Sequence, residues 1–169
     1  MYEVDRRDSV VQLDGVPQSS PGAPMPVVVA SEHTLQLAYL RHGPEPDWND
    51  PASIDRLREA EPCALVRFEQ PYAYLHGPPN DEAFAGHPLA SRGLTPYGAF
   101  QVERSSWIRL AEHRNRVHSA HDPSRFEALR HYVFTFHDST FECLARGLDA
   151  IELDGPLSHV LRQMAEGTR

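Results

Sequence analysis

Residues 132–145, Tyr-Val-Phe-Thr-Phe-His-Asp-Ser-Thr-Phe-Glu-Cys-Leu-Ala, restrict the fold more than any other stretch of the chain. Two alternating runs flank Asp138 and Ser139, residue types that tolerate tight backbone geometry, so the stretch reads as a β-hairpin with a two-residue turn there. That register sets His137 against Thr140, Phe136 against Phe141, Thr135 against Glu142 and Phe134 against Cys143. Side chains alternate across a strand. Tyr132, Phe134, Phe136, Phe141, Cys143 and Ala145 therefore share one face, and Val133, Thr135, His137, Thr140, Glu142 and Leu144 the other. A slip of one residue would exchange the faces of one strand, so the pattern specifies the faces strongly. The first face is core. The role of the second is the question that the rest of the chain has to answer.

Ahead of the hairpin the chain is strand-rich. Residues 1–24 hold one short apolar patch (Val10, Val11, Leu13, Val16) and then a Pro/Ser/Gly run. They are expected to form a flexible N-terminal extension, with the patch able to add an edge strand. Strands are expected over 26–30, 35–41, 63–68, 72–76, 97–103 and 150–153. A polar loop anchored by Trp48 leads to Asp50-Pro51, which opens a short helix carrying Ile54, Leu57 and Ala60. Residues 77–96 lack a firm period and are expected to be an ordered loop held by Phe84, Leu89 and Leu94. Ser105 or Ser106 caps a helix with Trp107, Leu110, Ala111 and Val117 as its buried stripe. Asp122-Pro123 opens another, bearing Phe126 and Leu129. Leu157, Val160, Leu161 and Met164, at the spacing of one helix face, mark a terminal helix. Strands without regular strand–helix alternation point to one α+β domain over 25–166: a largely antiparallel sheet bearing the hairpin, with helices packed on one face.

Composition narrows the setting. A chain of 169 residues suits one domain, and no apolar run approaches the roughly 20 residues that a membrane span needs. The first residues lack the apolar core of a secretory signal, and Cys63 and Cys143 sit inside strand-like runs. Buried thiols in the cytoplasm are the expectation, with a single disulfide as the alternative. A net charge of -8 with scattered arginines argues against nucleic acid as a partner. Ten histidines would move that charge to +2 (-8 + 10) if all were protonated, so the electrostatics should change just below neutral pH.

The chain carries no phosphate loop, dinucleotide fingerprint, Cys-x-x-Cys, His-Glu-x-x-His or Gly-x-Ser-x-Gly motif. Four constellations remain. On the hairpin's second face His137 and Glu142 are diagonal neighbours, and a carboxylate orienting an imidazole is a recurring general-base arrangement. They are the candidate catalytic pair, against the plainer reading of a solvated sheet face. His118 and His121 could share a divalent metal such as zinc or iron, although loop histidines in a polar stretch usually hold nothing and Asp122 reads as a helix cap. His76, Asp81, Glu82 and His87 in and beside the long loop are candidate ligand-binding residues, against a Pro/Gly-rich connection that satisfies its own backbone. Trp48, Tyr72, Tyr74, Phe84, Tyr97 and Trp107 could line an apolar pocket, although scattered aromatics in a domain this size are far more often core.

Gly86-His-Pro-Leu89, Gly93-Leu94, Tyr97, Ser105-Ser-Trp-Ile108 and the run from His131 to Cys143 resemble a group of bacterial proteins of unassigned function. The resemblance covers the second half of the chain. It implies a bacterial, cytoplasmic, single-domain protein, and no activity, cofactor or catalytic residue. Two functions follow from the residues themselves. A small-molecule- or metal-binding domain, with or without enzymatic activity, predicts that several histidines converge on one pocket. A non-catalytic acidic interaction or regulatory protein, compatible with a homo-oligomer, predicts dispersed histidines and an exposed apolar patch or open strand edge.

Overall fold

The computed structural model describes residues 2–42, 49 and 62–167. The helix expected after Asp50-Pro51, with Ile54, Leu57 and Ala60, and the anchoring role of Trp48 lie outside the described residues. In chain order the elements are β1 (Ser9–Gln12), β2 (Val27–Ala30), β3 (Leu35–Leu40), β4 (Pro62–Glu69), β5 (Ala73–Gly77), β6 (Gly98–Glu103), α1 (Ser106–Asn115), α2 (Ser124–Glu127), β7 (Arg130–Thr135), β8 (Thr140–Ala145), β9 (Gly147–Asp154) and α3 (Leu157–Glu166). Two single 3-10 turns, Phe84–Gly86 and Ala90–Arg92, lie in the long loop. No helix among the described residues is long and apolar enough to cross a membrane.

The class is the expected α+β, and every strand pair is antiparallel. The strands divide into two sheets, ordered β1-β6-β7-β8-β5 and β2-β3-β4-β9. Their apolar faces meet: Tyr39 lies 5.3 Å from Phe136 between ring centroids, and Phe68 lies 5.4 Å from Phe141. Leu37, Val66, Tyr132, Phe134 and Cys143 complete this central layer. Each sheet is also covered on its outside. α3 lays Leu157, Val160 and Met164 over Ala38, Cys63 and Leu65. α1 and α2 close over Leu144 with Ala111, Phe126 and Leu129. The long loop covers Phe100, Val102 and Val133 with Phe84, Leu89 and Leu94. Helices thus sit on both outer faces, where one covered face was the expectation, because β3, β4, β7 and β8 are apolar on both sides and neither side can be left to water.

The hairpin forms, with its tip moved. Thr135 pairs with Thr140, Phe134 with Phe141, Val133 with Glu142 and Tyr132 with Cys143, and the Phe136 amide donates to the Ser139 carbonyl at 2.9 Å. The turn therefore centres on His137 and Asp138, one residue earlier than Asp138-Ser139. Moving the tip by one residue shifts the pairing by two, and a shift of two keeps every side chain on its face. The expected core face is correct, while the expected neighbour of Glu142 is not.

Two further expectations are corrected. Residues 1–24 are not a free extension where they are described: Tyr2 is buried, β1 pairs with β6, and the Tyr39 hydroxyl donates to the Pro17 carbonyl at 2.6 Å. Val117 does not belong to a buried stripe, because α1 ends at Asn115 and leaves that side chain 94% exposed. Cys63 and Cys143 are both buried thiols, as read from their strand context, and burial pushes Cys143 up.

Candidate functional site

The second face of the hairpin is not solvated. Glu142 on β8 is buried there and accepts hydrogen bonds from the Tyr2 hydroxyl at 2.5 Å and from His131 Nε2 at 3.0 Å, while His87 Nε2 lies 3.4 Å from its Oε1. The tautomers follow from the remaining partners. His87 Nδ1 accepts from the Leu89 amide at 3.1 Å, so its proton is on Nε2. His131 Nδ1 meets Ser105 Oγ at 2.9 Å, where the hydroxyl donates while accepting from the Ile108 amide as the cap of α1. Burial alone would push the Glu142 carboxyl up, but the donors His131, His87 and Tyr2 outweigh it and hold the group at about 2. Burial and the neighbouring carboxylate push the Tyr2 hydroxyl well up.

Ser105, His131 and Glu142 have the order of a nucleophile, base and orienting carboxylate. The burial argues for another role. His131 is 0% exposed, and Tyr2 and Trp107, stacked on each other with ring centroids 5.3 Å apart, both meet its ring edge-on, so the site is enclosed by packed rings. The Ser105 hydroxyl also spends a lone pair on its own helix. The arrangement fastens four segments to one carboxylate: the N-terminus through Tyr2, the long loop through His87, α1 through Ser105 and β7 through His131. Asp8 adds a fifth tie by accepting from the Ser106 amide at 2.5 Å.

His137 does not meet Glu142. It sits at the hairpin tip, 42% exposed, with Nδ1 3.1 Å from Asp138 and 3.9 Å from Asp81. The Asp81 amide donates to the His137 carbonyl at 2.9 Å, and the Tyr97 hydroxyl donates to Asp81 Oδ2. That bond holds the Asp81 carboxyl below its usual range. His76 joins through Nε2, 3.4 Å from Ser139 Oγ. Three of the sequence candidates, His76, Asp81 and His137, thus gather at one end of the sheet. Glu82 is exposed beside them, and His87 leaves for the buried network.

His118 and His121 lie in the connection between α1 and α2. His118 is exposed and its Nδ1 accepts from the Ala120 amide at 3.1 Å. Both nitrogens of His121 are engaged, with Glu112 Oε1 and Asn115 Oδ1 each at 2.9 Å. A metal held by the pair would have to take His121 from one of them. Among the described residues no group of three or more His, Cys, Asp or Glu is placed to hold a metal ion.

The apolar side chains with access to solvent lie elsewhere. β5 is the last strand of its sheet, paired with β8 on one side and with no strand partner on the other among the described residues. Tyr72, Tyr74 and Leu75, on and just before it, are between 38% and 49% exposed. A hollow of about 380 Å³ opens next to Tyr72, floored by Phe126 and Leu129 and rimmed by Glu32, His33, Arg125 and Arg146. A second, of about 350 Å³, follows β5 from Pro71 to Tyr74. Both are lined by Glu32, Pro71 and Tyr72, so they form one groove. Sequence reading had Tyr72 and Tyr74 among its aromatics but not this groove, whose two arginines are 21 positions apart in the chain. Comparison with known proteins returns no matching family model, no similar curated protein and no similar solved structure.

Proposed function

We propose that the chain is a non-catalytic interaction domain that engages a partner along the open edge of β5. The observation that carries this reading is the clustering of Tyr72, Tyr74 and Leu75 on an edge strand whose outer side has no strand partner among the described residues. Edge strands are usually blunted by charge, proline or a covering element, because a free ladder invites pairing. Residues 72–77, Tyr-Ala-Tyr-Leu-His-Gly, carry no charged side chain apart from the titratable His76. The dispersal of the candidate histidines supports the same reading, since among the described residues His76 and His137, His87 and His131, and His118 and His121 occupy three separate places.

The test is capture of partners from the source cells on the immobilised chain, with identification by mass spectrometry. A Tyr74→Lys variant and a His118→Ala variant are run in parallel. The reading expects a partner retained by wild type and His118→Ala and lost by Tyr74→Lys, with all three proteins melting alike. An unchanged capture profile for Tyr74→Lys would count against it. A second reading, a small molecule in the hollow at Tyr72, is favoured by the two arginines there. It predicts a rise in melting temperature with a small anionic ligand that Arg125→Glu removes and Tyr74→Lys leaves.

A further inference from the structure

Resting on the reading of β5 as an interaction edge, we infer that its partner is an extended peptide with an acidic side chain. The peptide adds as a strand to β5 and places its carboxylate between Arg125 and Arg146. Three observations converge on this occupant. The first is backbone: an open edge offers amide donors and carbonyl acceptors at strand spacing, which an extended chain satisfies and a helix or a small molecule does not. The second is shape. The groove runs along the strand from Tyr74 through Pro71 and Tyr72 and continues into the hollow over Phe126. Its described lining combines apolar Pro71, Tyr72 and Phe126 with polar Glu32, Arg125 and Arg146.

The third observation is charge. Arg125 and Arg146 both line the far hollow, and neither guanidinium makes a hydrogen bond or ion pair with a described residue, their backbone amides donating to the Asp122 and Glu69 carbonyls. Asp122 feels the charge of Arg125 but does not pair with it. Among the described residues Glu32 is the one acidic side chain lining the groove. On a chain of net charge -8, two unpaired guanidiniums beside an uncharged strand edge form a locally positive end. Arginine binds carboxylates in a planar two-point geometry, so an Asp or Glu side chain is the complementary group. A second copy of this chain fits less well, because its own β5 edge brings no acidic side chain to that end.

A random linear peptide library displayed on phage and selected against the full-length immobilised chain tests the inference. The strongest binders are then synthesised with a fluorophore for titration. Enriched sequences should combine β-branched or aromatic residues with Asp or Glu. Their affinity should fall at least about tenfold against an Arg125→Glu/Arg146→Glu variant. A peptide N-methylated at alternate amides, with unchanged side chains, should lose binding through its missing backbone donors. Both substitutions change exposed positions, and an unchanged circular dichroism spectrum and melting temperature would show that the variant folds.

Enriched peptides without acids, or titrations indifferent to the charge reversal, would overturn the acidic-peptide inference. If Tyr74→Lys still abolished their binding, the interaction edge itself would stand. Absence of any enriched sequence would overturn the inference. So would a dimer in sedimentation velocity that Tyr74→Lys dissociates, because the occupant would then be a second copy.

Discussion

Glu142 Oε2 and His131 Nε2 lie 3.0 Å apart on neighbouring strands, two residues out of direct opposition, since Val133 is the residue facing Glu142. This diagonal contact makes the outer face of the hairpin a junction. Every other segment reaching Glu142 comes from a different part of the chain, so the carboxylate's ionisation is coupled to several docked segments at once.

That coupling sets a pH dependence. The Glu142 carboxyl titrates at about 2 in the folded chain, against an ordinary value of 4.5. A depressed carboxyl contributes its stability in full above the unfolded value and loses it as the pH falls through 4.5 towards 2. The contribution is on the order of 3 kcal/mol at neutral pH. Thermal melts between pH 7 and pH 2 should show the midpoint falling through this window. A Glu142→Gln variant should start lower at pH 7 and fall less. Parallel curves for the two proteins would remove Glu142 as the cause.

Tyr2→Phe deletes one donor to Glu142 and leaves the ring stacked on Trp107. The cost should be about 1.5–3 kcal/mol, the usual range for a lost bond to a charged group. Amide exchange should report it first in residues 2–8, as the N-terminal segment is the part Tyr2 fastens. Unchanged protection there would mean that β1 and Asp8 hold the segment without it.

His131→Ala and His137→Ala should differ sharply, although both residues are on β7 or its turn. The first removes a fully buried ring that both Glu142 and Ser105 use, with an expected loss of about 3–5 kcal/mol. The second removes an exposed tip residue with contacts to Asp81 and Asp138, and should cost less than about 1 kcal/mol. Urea unfolding of both variants checks the pair, and equal losses would contradict the placement of the two histidines.

Gly98→Ala probes the start of β6. A Cβ there would stand 2.7 Å from Cζ of the buried Phe100 ring, closer than atoms can pack. The ring lies under Leu89 and Leu94 and has little room to retreat, so a loss of about 1–3 kcal/mol is expected. A melt identical to wild type would show that the ring can move.

Much of the fold was legible because alternation is a local property. The core face of the hairpin, the Leu35–Leu40 strand and the Leu157–Glu166 helix each follow from spacing within a dozen residues. The tip was misplaced by one residue because Asp138-Ser139 and His137-Asp138 give the same two faces, and no local signal separates them. The burial of Tyr2 could not be read at all. It depends on a carboxylate 140 positions away.

The sequence by itself determined which residues share a face, where the strands and the terminal helix fall, and that the class is α+β. Those follow from the periods of the two regular structures and from the preference of apolar groups for the interior. Only the tertiary structure decided that Glu142 meets His131 and His87 rather than His137. It also decided that the outer hairpin face is buried, and that Arg125, Arg146 and Tyr72 border one groove. Those outcomes depend on how separate segments dock, and docking is set by the summed burial and polar pairing of surfaces that lie far apart in the chain.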